Sequence, residues 1–162
     1  MRRILGYLLL LAALGYGLWP YYTLFRLDDA VREPDAKALA PYVDLAAIKA
    51  HYRQRIERAL PTFEPRSGSG ADQVVVWLET NLSRLGEAAL DQAITLDWVR
   101  NALREAAERT TDSRPALFLD AIDFAFFESW NRFVVRVGPI GSATHVVLGL
   151  DGKDWRIVDL VR

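Results

Sequence analysis

The chain holds two histidines, His51 and His145, and an imidazole is the side chain that most readily exchanges a proton near neutral pH. His145 lies in the alternating run "ATHVVLGL", where it shares a strand face with Val147 while Thr144, Val146 and Leu148 share the other. Lining a cone, it would act as acid or base with Asp123 or Glu128 orienting it. On the second face of an open sheet it would be a hydrogen-bonded histidine without catalytic work, and that plainer reading is the expectation. Asp123 interrupts an aromatic strand and Arg136 a valine strand, which places both on the outward face of an antiparallel sheet, within reach of each other across strands. Together with His145 the same two residues would floor a small-molecule pocket if the sheet curled.

Other chemistry finds little support in the residue types. There is no cysteine, which excludes disulfides, thiolate nucleophiles and the common structural zinc sites. His51 stands off the apolar stripe of a helix and reads as solvated; no HExxH spacing accompanies either histidine, so neither a metal site nor a cofactor is expected. Ser67, Ser69, Ser113, Ser129 and Ser142 sit mostly in loop or turn contexts without a nucleophile elbow, and no catalytic residue is assigned. "PTFEPRSGSGAD", a loop by composition, lacks the Gly-Lys-Ser/Thr ending of a phosphate-binding loop. Lys49, Arg53, Arg55 and Arg58 spread over more than one helix face, which reads as a solvated surface, with acidic headgroups as the alternative contact. A net charge of −1 provides no field for nucleic acid, so that partner is not expected. Trp130 in the turn "ESWN" is a candidate interaction surface, either exposed at a hairpin tip or folded over Phe127 or Phe133.

The elements that must position these residues begin with an apolar segment. Ile4 to Phe25 carries no charge, and as a helix at about 1.5 Å per residue it covers roughly 33 Å, enough to span a bilayer. Arg2 and Arg3 precede it while Trp19, Tyr21 and Tyr22 close it, the arrangement of a cytoplasmic flank and a distal aromatic belt. "GLWPYYTLF" suits a signal peptidase poorly, so the segment is expected to stay as a signal anchor, with Pro20 a hinge after which a separate helix begins. Residues 1–25 are thus expected as a single-span anchor in the inner (cytoplasmic) membrane, N-terminus inside. Residues 26–162 follow as a single periplasmic or extracellular α+β domain. With 51% apolar and 25% charged residues the chain suits one packed core and not a disordered tail.

Beyond the seam, Leu24, Leu27 and Val31 recur at helical spacing until Pro34. Asp35 caps a second helix with Leu39, Tyr42 and Val43 inward; Asp44 caps a third through Ile48, Tyr52 and Ile56. Asp72 heads a fourth with Val74, Val75, Leu78, Leu82 and Leu85, and Thr95 a fifth with Trp98, Val99, Ala102, Leu103 and Ala106, before a loop from Glu108 to Pro115. From Asp120 the period changes to two, with Ile122, Phe124 and Phe126 sharing a face. Three more strands follow, around Phe133 to Val137, Ala143 to Leu150 and Asp154 to Val161, the last pair joined by a tight Asp151-Gly152 turn. Helices followed by a meander make an α+β fold: an N-terminal transmembrane helix, then several helices packed on a C-terminal four-stranded antiparallel sheet.

"YYTLFRLDDAVREPDAKALAPYVDLAAIK", "AALDQAITLDWVRNAL", "FFESWNRFVVRV" and "DWRIVDL" resemble a bacterial family of membrane-anchored proteins, the domain of unknown function numbered 2939. That resemblance implies a class and no activity. In shape, helices followed by a curved sheet are similar to the cones of the nuclear transport factor 2 type, which host enzymes, ligand pockets and interaction surfaces alike. The expected function is therefore a non-catalytic module at a membrane surface that binds a protein or envelope component. The alternative is a small-molecule or catalytic pocket built on His145, Asp123 and Arg136.

Overall fold

The computed structural model describes residues 2–59, 88–111, 117–141 and 143–161. Helix α1 runs unbroken from Arg2 to Arg32 and contains Pro20. The expected hinge and separate second helix are therefore one helix. Proline at this position removes one backbone donor and costs about 3 kcal/mol in a helix interior. Burial of Leu24, Leu27, Ala30 and Val31 in the core just beyond it offsets that cost. The helix ends ahead of Pro34, where Arg104 Nε donates to the Val31 carbonyl at 3.0 Å and Arg100 donates to the Pro34 carbonyl.

The caps expected at Asp35, Asp44 and Thr95 are in place. Asp35 Oδ1 accepts from Lys37 N–H at 2.9 Å and starts a 3₁₀ helix, Ala36–Tyr42. Asp44 Oδ1 accepts from Ala47 N–H at 2.9 Å at the head of α2, Leu45–Ala59. Thr95 Oγ1 accepts from Trp98 N–H at 3.2 Å at the head of α3, Leu96–Thr110. Helix α3 outlasts the loop expected from Glu108, since the Thr110 and Thr111 hydroxyls bond back to the Ala106 and Ala107 carbonyls. Residues 88–93 are also helical. The helix expected after Asp72 and the loop before it lie outside the described residues.

Four strands, β1 (Ile122–Ser129), β2 (Arg132–Val137), β3 (Thr144–Asp151) and β4 (Asp154–Val161), form an antiparallel meander in that order. At the β3–β4 turn Gly152 takes φ +61 at the first central position, which fits a two-residue hairpin loop. One sheet face carries Phe127, Phe133, Val135, Leu148, Trp155 and Ile157 into a core closed by α1 from Leu24 onward, the 3₁₀ helix, α2 and α3. The fold is mixed α+β, with an N-terminal apolar helix, further helices and a C-terminal four-stranded sheet.

The expected face of β1 is corrected by a bulge. The register shifts between Ile122 and Phe124, so Ile122, Ala125 and Phe127 face the core while Phe124 and Phe126 turn outward, 52% and 41% exposed. Strict alternation from Ile122 cannot show this, because one extra residue exchanges the two faces.

Candidate functional site

The bulge brings Asp123 to Arg136. The Arg136 guanidinium donates to Asp123 Oδ2 through Nε at 2.9 Å and also through a terminal nitrogen, and its Cζ lies 5.7 Å from the Phe124 ring centre. Arg136 is in turn directly opposite His145 on β3. The three polar residues singled out in the sequence thus stand together, in one row on the outer face of the sheet, opposite the packed core. Phe124 and Phe126, 5.5 Å apart, flank the row. With its guanidinium engaged by Asp123, Arg136 places a cation and not a free carboxylate beside His145, so the pair holds orientation across the strands. Exposed, it contributes less than about 1 kcal/mol. Glu128, the other orienter considered for His145, is bonded to Arg132 at the far end of the hairpin.

His51 is half-buried against β4, not solvated. A second bulge, between Val147 and Leu148 in register, leaves Val158 as an extra residue, and His51 Nδ1 lies 2.9 Å from the Val158 carbonyl. A carbonyl can only accept, so that nitrogen carries the proton. Tyr52 donates to the Leu160 carbonyl at 3.0 Å, and Arg55 reaches Asp159 Oδ1 at 2.5 Å with its Cζ 4.2 Å from the Tyr52 ring centre. These three residues of α2 cover the β4 edge, which would otherwise offer unpaired backbone groups to another strand. Burial pushes the Tyr52 phenol above its ordinary range, partly opposed by Arg55. Lys49 donates to Asp91 at 2.8 Å and holds that carboxyl below its ordinary range. Arg58 is exposed.

Sequence reading missed Asp28. A charged residue of an amphipathic helix is expected on its polar side, yet Asp28 is 1% exposed, bonded to Arg32 and accepting from Leu119 N–H at 3.3 Å. Spacing carries a faint signal, since Asp28 lies between Leu24, Leu27 and Val31.

Trp130 is exposed at the β1–β2 turn, and its carbonyl accepts the Tyr16 hydroxyl from α1. Tyr16 also stacks on Phe127, and Tyr21 meets Phe133 edge-on at 5.0 Å. The sheet is therefore fastened to the apolar helix itself. Beside this junction a cavity of about 400 Å³ opens between α1, the 3₁₀ helix and β4, lined among others by Trp19, Tyr22, Arg26, Tyr42 and Arg156. Arg26 Nε donates to the Tyr42 hydroxyl at 3.3 Å, which raises the arginine further. A smaller cavity of about 210 Å³ is lined by Tyr52, Trp98, Glu105 and Thr144 among others. His145, Asp123 and Arg136 line neither. Among the described residues no group of three or more His, Cys, Asp or Glu is placed to hold a metal ion. One described helix, over Arg3–Arg32, is long and apolar enough to cross a membrane.

The family described as a protein of unknown function (DUF2939) matches residues 9–102. No curated protein and no solved structure matches the chain. More than half of the sequence lies within the family match, and the chain belongs to that family.

Proposed function

We propose that this member of the DUF2939 family is a single-span membrane protein that holds a non-catalytic binding domain against the extracytoplasmic surface of the inner membrane, for a protein or envelope component. The observation that carries the reading is the division of α1. Its large apolar residues from Ile4 to Leu14 are each 53 to 67% exposed, whereas Leu24, Leu27 and Val31 of the same helix are buried in the domain. A soluble protein rarely leaves so continuous an apolar cylinder in water, and a bilayer satisfies it. Arg2 and Arg3 at its start favour a cytoplasmic N-terminus. A binding role is supported by the outer sheet face, where Phe124 and Phe126 stand exposed beside the oriented Arg136 and Asp123.

Fusions at Arg162 test the topology. A reporter active only in the periplasm should work and one active only in the cytoplasm should not. Alkaline carbonate should leave the full-length chain in the membrane fraction. For the binding role, F124E at normal protein level should fail to complement a deletion strain while H145A complements it fully. If H145A behaves like the deletion and F124E does not, a pocket on His145 replaces the binding surface.

A further inference from the structure

The sheet grips α1 well inside the apolar segment. The contacts begin at Tyr16, through its hydroxyl to the Trp130 carbonyl and its ring on Phe127. The part of the helix free of the domain, Ile4 to Gly15, reaches roughly 18 Å at about 1.5 Å per residue, against a hydrocarbon thickness of about 30 Å. Stretching the span to Phe25 would carry the hairpin tip, with Glu128, Asn131 and Arg132, toward the middle of the acyl chains, where each unsatisfied polar group costs several kcal/mol. Both extremes are unfavourable.

We propose that the shortfall is met by the domain itself: the β1–β2 hairpin tip, led by Trp130, docks into the lipid surface beside the helix and enters the upper acyl region, about 5 to 10 Å below the headgroup boundary. This rests on the reading of α1 as a membrane span. The tip is shaped for it. Trp130 is 72% exposed and stands at the level of Tyr16, and Leu18, Trp19 and Tyr22 of α1 are exposed just above. Tryptophan and tyrosine favour the interface, and amphipathic surfaces bury about 5 to 10 Å deep there. The β3–β4 turn lies at the same end, since Leu150 N–H donates to the Asn131 carbonyl at 3.0 Å, and it brings Lys153 to headgroup level. The charges around both tips are balanced, Glu128, Asp151 and Asp154 against Arg132, Lys153 and Arg156, with Arg132 joined to Glu128 and Arg156 to Asp151. Attraction to anionic lipid is therefore not the driving force, and a zwitterionic surface suffices. The boundary between anchor and domain then falls near Tyr16 and not after Phe25.

The chain has no cysteine, so single-cysteine labelling needs no prior substitution. Ile140, 83% exposed in the β2–β3 turn, marks the opposite end of the sheet, one strand or roughly 20 Å from Trp130. Full-length N131C, which keeps Trp130 and labels the exposed residue beside it, I140C and L10C would each carry an environment-sensitive fluorophore. All three would be reconstituted in phosphatidylcholine vesicles containing lipids spin-labelled either high or low on the acyl chain. N131C should shift to the blue and lose most of its emission to the high label, I140C should stay unquenched, and L10C should be quenched most by the low label. If L10C is quenched but N131C emits as I140C does, the span stands and the docking is overturned. If L10C is not quenched, the span reading fails and takes the docking with it. If N131C is quenched only when phosphatidylglycerol is added, the proposed apolar docking is overturned in favour of charge attraction.

Discussion

Gly149 on β3 tests the second bulge, the one that sets His51 and the β4 edge. A Cβ built there would lie 2.9 Å from Val158 Cγ1 and 3.3 Å from Cγ2. Carbon atoms rest at about 3.5 to 4.0 Å, so the methyl of alanine meets both branches of a stiff β-branched side chain. Turning χ1 of Val158 by 120° puts its Cβ hydrogen in place of one methyl but leaves a methyl at the other close position, so relief is partial and takes the side chain out of its native rotamer. Overpacking of this kind costs about 1 to 3 kcal/mol, while replacing glycine inside a strand returns about 0.5 to 1 kcal/mol. G149A should therefore lose roughly 1 to 2 kcal/mol net. V158A alone loses up to about 1.5 kcal/mol for its half-buried methyls. In the V158A background, however, G149A should be neutral or stabilising, because the obstructing atoms are gone. The assay is urea unfolding of the full-length chain in detergent, followed by far-UV circular dichroism, for the four members of the double-mutant cycle. If G149A is as stable as the parent, or costs the same with and without Val158, the bulge does not lean over Gly149 and the register assigned to β4 is wrong.

D28A removes the carboxylate that accepts from Leu119 N–H and holds Arg32, leaving a part-buried donor unpaired; a loss of about 1 to 3 kcal/mol is expected in the same unfolding assay. Y52F forfeits the bond to the Leu160 carbonyl and should cost about 0.5 to 1.5 kcal/mol. Because burial raises the Tyr52 phenol above its ordinary pKa of about 10, the folded chain holds that proton more tightly than the unfolded one. Its stabilising contribution is complete below pH ~10 and declines as pH rises through the folded value, so the alkaline slope of stability should be shallower in Y52F than in the parent. L27A, which empties a fully buried core position on α1, should lose about 2 to 5 kcal/mol and render the domain sensitive to protease while the chain stays with the membrane fraction.

The sequence by itself determined what depends on neighbours along the chain. An unbroken apolar run makes the long helix of α1, three side-chain caps at Asp35, Asp44 and Thr95 mark where helices start, and a change of period from 3.6 to 2 marks the sheet and its four strands. These are local signals, each settled within a turn or a strand. Their order along the chain is enough for the α+β class. What tertiary structure decided is everything that a shift of one residue, or a contact between distant elements, can reverse. Pro20 reads as a break, yet the helix continues because its distal half is buried. Alternation places Phe124 and Phe126 in the core, yet the bulge at Asp123 turns them outward and brings Asp123 to Arg136. Asp28 reads as a wet carboxylate and is buried, while His51 reads as solvated and satisfies a bulge carbonyl one hundred and seven residues away. The junction of Tyr16 with Trp130, on which the proposed placement of the domain on a bilayer rests, joins a helix to a hairpin with no trace in either local pattern. Periodicity tells which face of an element is apolar; only packing tells what that face meets.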